Sequence, residues 1–319
     1  MFSESTRESI GAKSQAYANA EPFPFVVIDN FLDRGFADAL LEEFPVTKEA
    51  NKLNEFGKKG PKTVTRKMRE VSPSYERLCD FMVSEEFVDA MSRITGIENL
   101  ISLPNEAGGA HENRNNSVLE PHLDYNYFGE RSPLHRRLNV LLYLNKDWNP
   151  DWGGNLQLHS NPREWENNQI VANSPDFNRC IIMETSEHSW HGFDKVSVPE
   201  GVSRKSISIY MFTEDRPKDQ VAPRHSTFYV QPPISERFKA GFTLNRQDAQ
   251  ELQRAMKKRD NWIHFYQREA LRHSARAEAQ QDRGKWLTGI MEEVNGLLDA
   301  GDSAAARKRL QSHLEEHGN

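Results

Sequence analysis

The sequence predicts a mainly β protein with flanking α-helices, built as a jelly roll with helices packed on one side and a helical tail behind it. Three observations predict this. From Asn99 to Phe212, short apolar runs are punctuated by Gly, Pro, Asn and Asp, the texture of an antiparallel sandwich or barrel rather than a doubly wound parallel sheet. Ahead of that stretch, apolar residues recur at helical spacing. After Pro232-Pro233 the helical period returns without further strand-like runs.

In chain order, residues 1–21 are polar and read as an N-terminal arm, poorly ordered at its start. Pro22 to Ile28 is apolar and β-branched after prolines, and reads as a strand. Asp33 is a candidate cap for a helix carrying Phe36, Ala39, Leu40 and Phe44, which Pro45 ends. Residues 47–70 are lysine-rich and contain Gly57, Gly60 and Pro61, so a long loop or loose hairpin is expected. A helix should span 74–95, with Tyr75, Leu78, Phe81, Met82, Val88 and Met91 on one face. Strand-like runs follow at Leu100–Leu103, Ser117–His122, Arg137–Asn145, Asn155–His159, Ile170-Val171, Cys180–Met183 and Ser206–Phe212, with turns at Gly108-Gly109 and at 149–154. Residues 22–232 thus form the jelly-roll domain and 233–319 a helical extension. Its first helix is marked by Leu252, Ala255, Met256, Ile263, Tyr266 and Ala270. Its second is marked by Trp286, Ile290, Val294 and Leu297 and ends at Gly301, and a third covers 303–316. The last two resemble one hairpin of the tetratricopeptide kind; one unit is not an array, so a cap or a homodimer through these helices is the plainer expectation.

Composition narrows the function. The net charge of −6 supplies no basic field for nucleic acid or an anionic membrane. No apolar run approaches the length of a membrane span, and residues 1–21 lack the apolar core of a signal peptide. Only Cys79 and Cys180 are present, too few for a disulfide framework or a thiolate zinc site. A cytoplasmic protein is expected.

The chemistry concentrates between His122 and Ser208. Residues two apart in a strand face one side, so His122 and Asp124 can meet one metal ion while Leu123 points away. By itself His-x-Asp is weak: with 11 histidines one such match arises readily, and a strand-end histidine bonded to a loop is the plainer reading. A second, distant histidine would complete a 2-His-1-carboxylate set, which leaves three adjacent positions open on Fe(II). His191 fits, followed by Gly192, which allows close backbone approach; His188 is the alternative. Arg204, Ser206, Ser208 and Tyr210 share one face of a strand whose other face is Ile207, Ile209 and Met211. A guanidinium aimed into an apolar barrel needs an anion, and a dicarboxylate co-substrate would supply it in the bidentate geometry arginine favours. The plainer reading is a protein salt bridge. Tyr143 can add a phenol hydroxyl to the same carboxylate, or be a buried tyrosine with a capped hydroxyl.

Residues from about 117 to 216 resemble the prolyl-hydroxylase-like branch of the iron(II)/2-oxoglutarate-dependent dioxygenase superfamily. The resemblance rests on His122-x-Asp124, Tyr143-Leu144-Asn145-Lys146-Asp147-Trp148, Gly153-Gly154-x-Leu156, Phe177-x-Arg179, His191, and Arg204 with its strand to Phe212. The strand and helix at 22–46 also look like the lead-in of bacterial members, and the tail after about 230 lies outside. The resemblance implies a double-stranded β-helix, cupin-like core. It implies His122, Asp124 and His191 as iron ligands, and Arg204 on the distal carboxylate of 2-oxoglutarate with Tyr143, Ser206 and Ser208 assisting. It implies Fe(II), 2-oxoglutarate and O2, with ascorbate as a candidate reductant. The reaction implied is hydroxylation of an unactivated C–H bond, with 2-oxoglutarate going to succinate and CO2. Asp124 separates the chain from relatives that halogenate, which carry a small residue there; desaturation and cyclisation stay open.

Substrate residues are less defined. Asn139 shares a face with Tyr143, Arg136 or Arg137 begins that strand, and Trp190 and Phe128 are candidates for the mouth; each is also plausible as packing. His111 and Glu112 do not match the tyrosines that protein prolyl hydroxylases use at that place. The substrate is a small molecule, a sugar or a peptidyl side chain. The competing reading is a jelly-roll metal-binding or scaffold protein without 2-oxoglutarate turnover, acting through its tail.

Overall fold

The computed structural model describes residues 1–45, 60–129, 133–231, 233–235 and 237–317. It divides into two units, Met1–Phe242 and Thr243–Asn319.

The first unit opens with helix α1 (Glu4–Ala18), capped by Ser3, whose hydroxyl accepts from the Thr6 amide. The segment expected as a loose polar arm is therefore a packed helix. Its buried anchors, Phe2, Ile10 and Tyr17, are too few and too widely spaced to show as a stripe in a polar stretch. Strand β1 (Phe25–Ile28) and helix α2 (Arg34–Glu42) follow, and the Asp33 carboxylate accepts from the Phe36 amide as the cap. Strand β2 (Lys62–Thr65) and a 3-10 turn at Met68–Glu70 lie where a long loop or loose hairpin was expected; the rest of that expectation, 47–59, lies outside the described residues. The helix expected over 74–95 is two, α3 (Pro73–Met82) and α4 (Glu85–Thr95). Ser84 divides them: its hydroxyl caps α4 at the Phe87 amide, and its short polar side chain competes with a continuing helix.

The strands that follow are β3 (Ile101–Ser102), β4 (Gly108–Asn113), β5 (Leu119–Leu123), β6 (Tyr127–Phe128) and β7 (Leu134–Tyr143). Next come β8 (Leu156–His159), β9 (Ile170–Asn173), β10 (Cys180–Glu184), β11 (Trp190–Phe193), β12 (Arg204–Thr213) and β13 (Phe228–Tyr229). They form two antiparallel sheets. The larger runs β1-β10-β7-β12-β4-β2, with β3 also on β12 and β6 also on β7; the smaller runs β13-β5-β11-β8-β9. This is the predicted mainly β, jelly-roll architecture. Gly108 and Gly109, read as a turn, begin β4 instead. A Cβ on Gly109, at φ +140°, would lie 2.6 Å from the Thr65 carbonyl oxygen, so only glycine lets β2 pass so close.

Alternation along the large sheet separates two kinds of interior. Val140, Leu142, Ile182, Ile207, Ile209 and Met211 face the helices and pack with Leu40, Tyr75, Leu78, Phe81, Met82, Phe87 and Met91. From the opposite face, Leu141, Tyr143, Ile181 and Met183 meet Leu156 and Leu158 of the small sheet. The helix-backed layer stiffens the large sheet, and the layer between the sheets holds the polar residues described below.

The second unit differs from expectation. The two helices expected at 252–270 and 286–297 are one helix, α5 (Arg246–Asp299), followed by α6 (Ser303–His317) after Gly301 at φ +80°. The intervening 271–285 lack an apolar stripe, which reads as a break. They are rich in Ala, Arg and Gln and contain no proline, so nothing stops the helix there. Ile290 and Val294 of α5 pack on Ala306 of α6, with Leu297 beside them. Among the described residues, no helix is long and apolar enough to cross a membrane.

Asn178 ties the start of β10 to the lead-in of α2. Its carboxamide accepts from the Leu32 amide at 2.9 Å and donates to the Leu32 carbonyl at 2.7 Å, fully buried. Asn178→Ala leaves both backbone groups buried and without this partner, which costs about 2–6 kcal/mol at roughly 1–3 kcal/mol per orphaned group. Urea unfolding should show the midpoint falling with the slope unchanged.

Candidate metal centre

The register of β5 and β11 creates the site. His191 pairs directly with His122, and their ring centroids are 4.3 Å apart. Gly192 permits this: a Cβ there would lie 2.4 Å from the Leu119 carbonyl oxygen. Asp124 follows the end of β5. Its Oδ1 is 3.7 Å from His122 Nε2 and its Oδ2 is 3.5 Å from His191 Nε2. The three side chains can each offer one donor atom, all within 4.8 Å of one another, and among the described residues this is the one such group. His188, the alternative ligand, is exposed in the turn before β11.

Backbone carbonyls settle which nitrogen faces the cluster. His122 Nδ1 lies 3.0 Å from the Glu120 carbonyl and His191 Nδ1 2.9 Å from the Ser189 carbonyl. A carbonyl only accepts, so both Nδ1 atoms carry a proton and each Nε2 is the ring nitrogen on the Asp124 side. Burial and the neighbouring His122 hold the His191 pKa down to about 3. Burial by itself would raise the Asp124 carboxyl. The Arg136 guanidinium opposes it, and the carboxyl is held well below the ordinary carboxylate range. Two neutral imidazoles and one carboxylate form the donor set that suits Fe(II) with open positions.

Arg136 is fully buried, with Nη2 2.7 Å from Asp124 Oδ2. Its guanidinium lies 3.6 Å over the Tyr210 ring and 4.6 Å from the Tyr125 ring centre. A register shift aims it there: Met211 pairs with Leu138 but Phe212 with Arg136, so one extra residue on β7 turns Arg136 inward beside Asn139. Asn139 donates to the same Oδ2 at 3.3 Å. Both substrate candidates therefore hold the Asp124 carboxylate. Arg137 points elsewhere, 3.9 Å from Glu184.

Arg204 occupies the deeper end between the sheets. Its Nε donates to the Gly154 carbonyl at 2.7 Å, its Nη2 to the Tyr143 hydroxyl at 3.4 Å, and it packs over the Tyr143 and Phe193 rings. Gly154 makes room, since a Cβ there would lie 3.0 Å from Arg204 Cδ. Among the described residues no carboxylate lies within 4 Å of this buried guanidinium, and burial lowers its pKa. Ser206 and Ser208 are buried on the same strand face, Ser206 opposite Tyr143. Trp190 is turned from His191 by alternation and lies under the Arg163 guanidinium at 4.8 Å, while Phe128 packs on Phe212. Glu112 accepts from Thr63 and Arg114, whereas His111 pairs with Ser206 across the strands. Two residues beside the site were not singled out from sequence: Tyr125 against Arg136, and Tyr229, whose β13 was signalled only by Phe228-Tyr229-Val230 ahead of the prolines.

Two antiparallel sheets enclosing two imidazoles and a carboxylate, with a buried guanidinium deeper in, define a jelly-roll metal site of the 2-His-1-carboxylate class. Residues 108–212 match the model of the 2OG-Fe(II) oxygenase superfamily. The chain is similar to prolyl 3-hydroxylase OGFOD1 of Mus musculus, 26% identical over 226 residues that cover 67% of this chain and 36% of that protein. It thus spans about a third of the length of that curated relative. Among solved structures, it is similar to a Trichoplax adhaerens prolyl hydroxylase in complex with a hypoxia inducible factor peptide fragment (TM-score 0.47, 19% identity, 66% of this chain and 92% of that one). It is also similar to a Phytophthora capsici prolyl 4-hydroxylase (TM-score 0.46, 17% identity, 81% and 75%). The donor set fits the Fe(II) of the superfamily, and Arg204, which has no carboxylate partner among the described residues, fits its 2-oxoglutarate.

The depressed imidazoles carry a pH consequence for the metal-free protein. Burial also holds His159 down, to about 4. Both folded-state values lie below the unfolded value of about 6.5, so the unfolded chain binds more protons in that window and stability rises with pH. The contribution is fully present above about pH 6.5 and declines as pH falls towards 4 for His159 and 3 for His191. Thermal melts of metal-free protein should therefore show a lower midpoint at pH 5 than at pH 7, and His159→Gln should flatten that difference.

Proposed function

We propose that this protein is an Fe(II)- and 2-oxoglutarate-dependent hydroxylase of an unactivated C–H bond. The observation that carries this reading is Arg204: a buried guanidinium with hydrogen-bond partners but, among the described residues, no carboxylate within 4 Å, on the same barrel interior as the His122, Asp124 and His191 cluster. A buried cation of this kind calls for an anion, and a dicarboxylate brings one.

In this reading His122, Asp124 and His191 hold the metal. Arg136 and Asn139 occupy Asp124 Oδ2, which orients the carboxylate and leaves Oδ1 for the ion. Arg204 and the Tyr143 hydroxyl bind the distal carboxylate of 2-oxoglutarate, with Ser206 and Ser208 on the same face. Leu141, Leu156, Leu158, Ile181 and Met183 exclude water between the sheets. When bound, Fe(II) supplies the oxidising chemistry with O2 and 2-oxoglutarate, which leaves as succinate and CO2 while one oxygen atom enters the substrate. The chain's part is positioning and electrostatics; ascorbate is the reductant to include in assays.

For the substrate, a prolyl ring is the first class to test, because the curated relative is named a prolyl 3-hydroxylase. Free amino acids, sugars and other peptidyl side chains are the comparison set. The two cysteines are free and buried, which supports a reducing, cytoplasmic setting.

Anaerobic addition of Fe(II) and 2-oxoglutarate should give a weak visible charge-transfer band, absent in His191→Ala. Arg204→Ala should raise the 2-oxoglutarate concentration for half-maximal band by about 10- to 100-fold, the equivalent of roughly 1.5–3 kcal/mol for hydrogen bonds to a charged group. Arg204→Lys should not restore it, since a point charge lacks the planar fork. No band and no succinate in air from the wild type would sink the proposal.

A further inference from the structure

The segment after β12 returns to the metal centre and builds one of its walls. Beyond the family-matched residues, the chain crosses back and is tied down at several points. Asn126 grips it from both ends of its carboxamide, donating to the Pro223 carbonyl at 2.9 Å and accepting from the His225 amide at 3.0 Å. Tyr127 donates to the Ala222 carbonyl at 3.3 Å, and Arg224 donates to the Gly129 carbonyl. His225 Nε2 lies 3.1 Å from Glu187, in the turn that leads to His191.

These ties deliver β13 to the edge of β5, the strand that carries His122. Tyr229 pairs with His122 and Phe228 with Leu123, and the Val230 amide donates to the Pro121 carbonyl at 2.8 Å. The Tyr229 ring stacks on the His122 imidazole, centroids 5.2 Å apart and planes 25° from parallel. The His191 ring lies close to His122 as well, at 4.3 Å, and His122 Nδ1 is held by the Glu120 carbonyl. Phe228 points the other way and stacks on His225 at 4.7 Å.

We infer that Tyr229 is a positioning residue for the metal centre: its ring fixes the His122 imidazole with Nε2 directed at the ion and shields that ligand from water. A metal ligand whose ring is free to turn about its Cβ–Cγ bond must give up that freedom on coordination. Tyr229 packs the plane of a ring whose Nδ1 the Glu120 carbonyl already holds, so that stack and hydrogen bond together remove the freedom beforehand. The inference rests on reading His122 as a ligand. The contact with His122 is made by the ring, as a stack.

The test is a Co(II) titration of the full chain without oxygen, followed by the visible d–d bands, with thermal melts to show that each variant folds. Tyr229→Ala should weaken Co(II) binding by about tenfold or more and alter the band shape, the size of effect seen when a ligand's outer support is removed. Tyr229→Phe should match the wild type, and Tyr229→Leu, which keeps bulk without an aromatic plane, should bind weakly. Phe228→Ala, on the opposite face of the same two residues, should bind as wild type does. Unchanged binding in Tyr229→Ala or Tyr229→Leu overturns the inference. So does weak binding in Tyr229→Phe, which would assign the effect to the hydroxyl, or in Phe228→Ala, which would assign it to strand pairing. A wild type that takes up no Co(II) overturns the metal-centre reading itself, so the two failures are told apart.

Discussion

The structure depends on the antiparallel register that sets His191 against His122. In a ladder, a slip of one residue would turn every side chain to the other face and replace the two imidazoles with Trp190 or Gly192 against β5. The register is pinned by the Gly192 approach, by β8 on the far side of β11, and by β13 on the free edge of β5. The rest of the site follows from it. Asp124 comes within reach because it directly follows the His122 strand, and Arg136 and Asn139 reach Asp124 because the bulge on β7 brings both to the same side.

The large sheet supplies a different kind of constraint. Its helix-facing residues are apolar and close-packed, so its inward face can carry polar groups at fixed positions. Arg204, Ser206 and Ser208 alternate with Ile207 and Ile209, and the apolar set anchors the polar one. The loop after β7 then uses two glycines in succession: Gly153 and Gly154 bring a carbonyl to Arg204 Nε and leave space for its side chain.

Much of this was legible in the sequence because strand periodicity is local. The β12 alternation placed Arg204, Ser206 and Ser208 on one face, and His122 with Asp124 followed from the same rule. What was not legible depended on contacts between distant segments or on irregular backbone. Phe2, Ile10 and Tyr17 make a helix of what reads as a polar arm only because a hydrophobic surface awaits them. The inward turn of Arg136 needs a bulge that no residue pattern announces. Tyr229 sits far from His122 in sequence and acquires its role through the ties at Asn126, Tyr127 and Glu187. In α5 the error ran the other way: the absence of an apolar stripe was read as a break, although propensity alone favours a helix there.

The Arg136–Asp124 contact also fixes the charge that an arriving cation meets. Two neutral imidazoles and a carboxylate would present one negative charge, but the buried guanidinium 2.7 Å away cancels it. The cluster is a neutral cage with a dipole, not an anionic trap. Hard cations such as calcium and magnesium, which rely on accumulated oxygen charge, gain little from it. Selection falls instead to ions that form strong bonds with imidazole nitrogen.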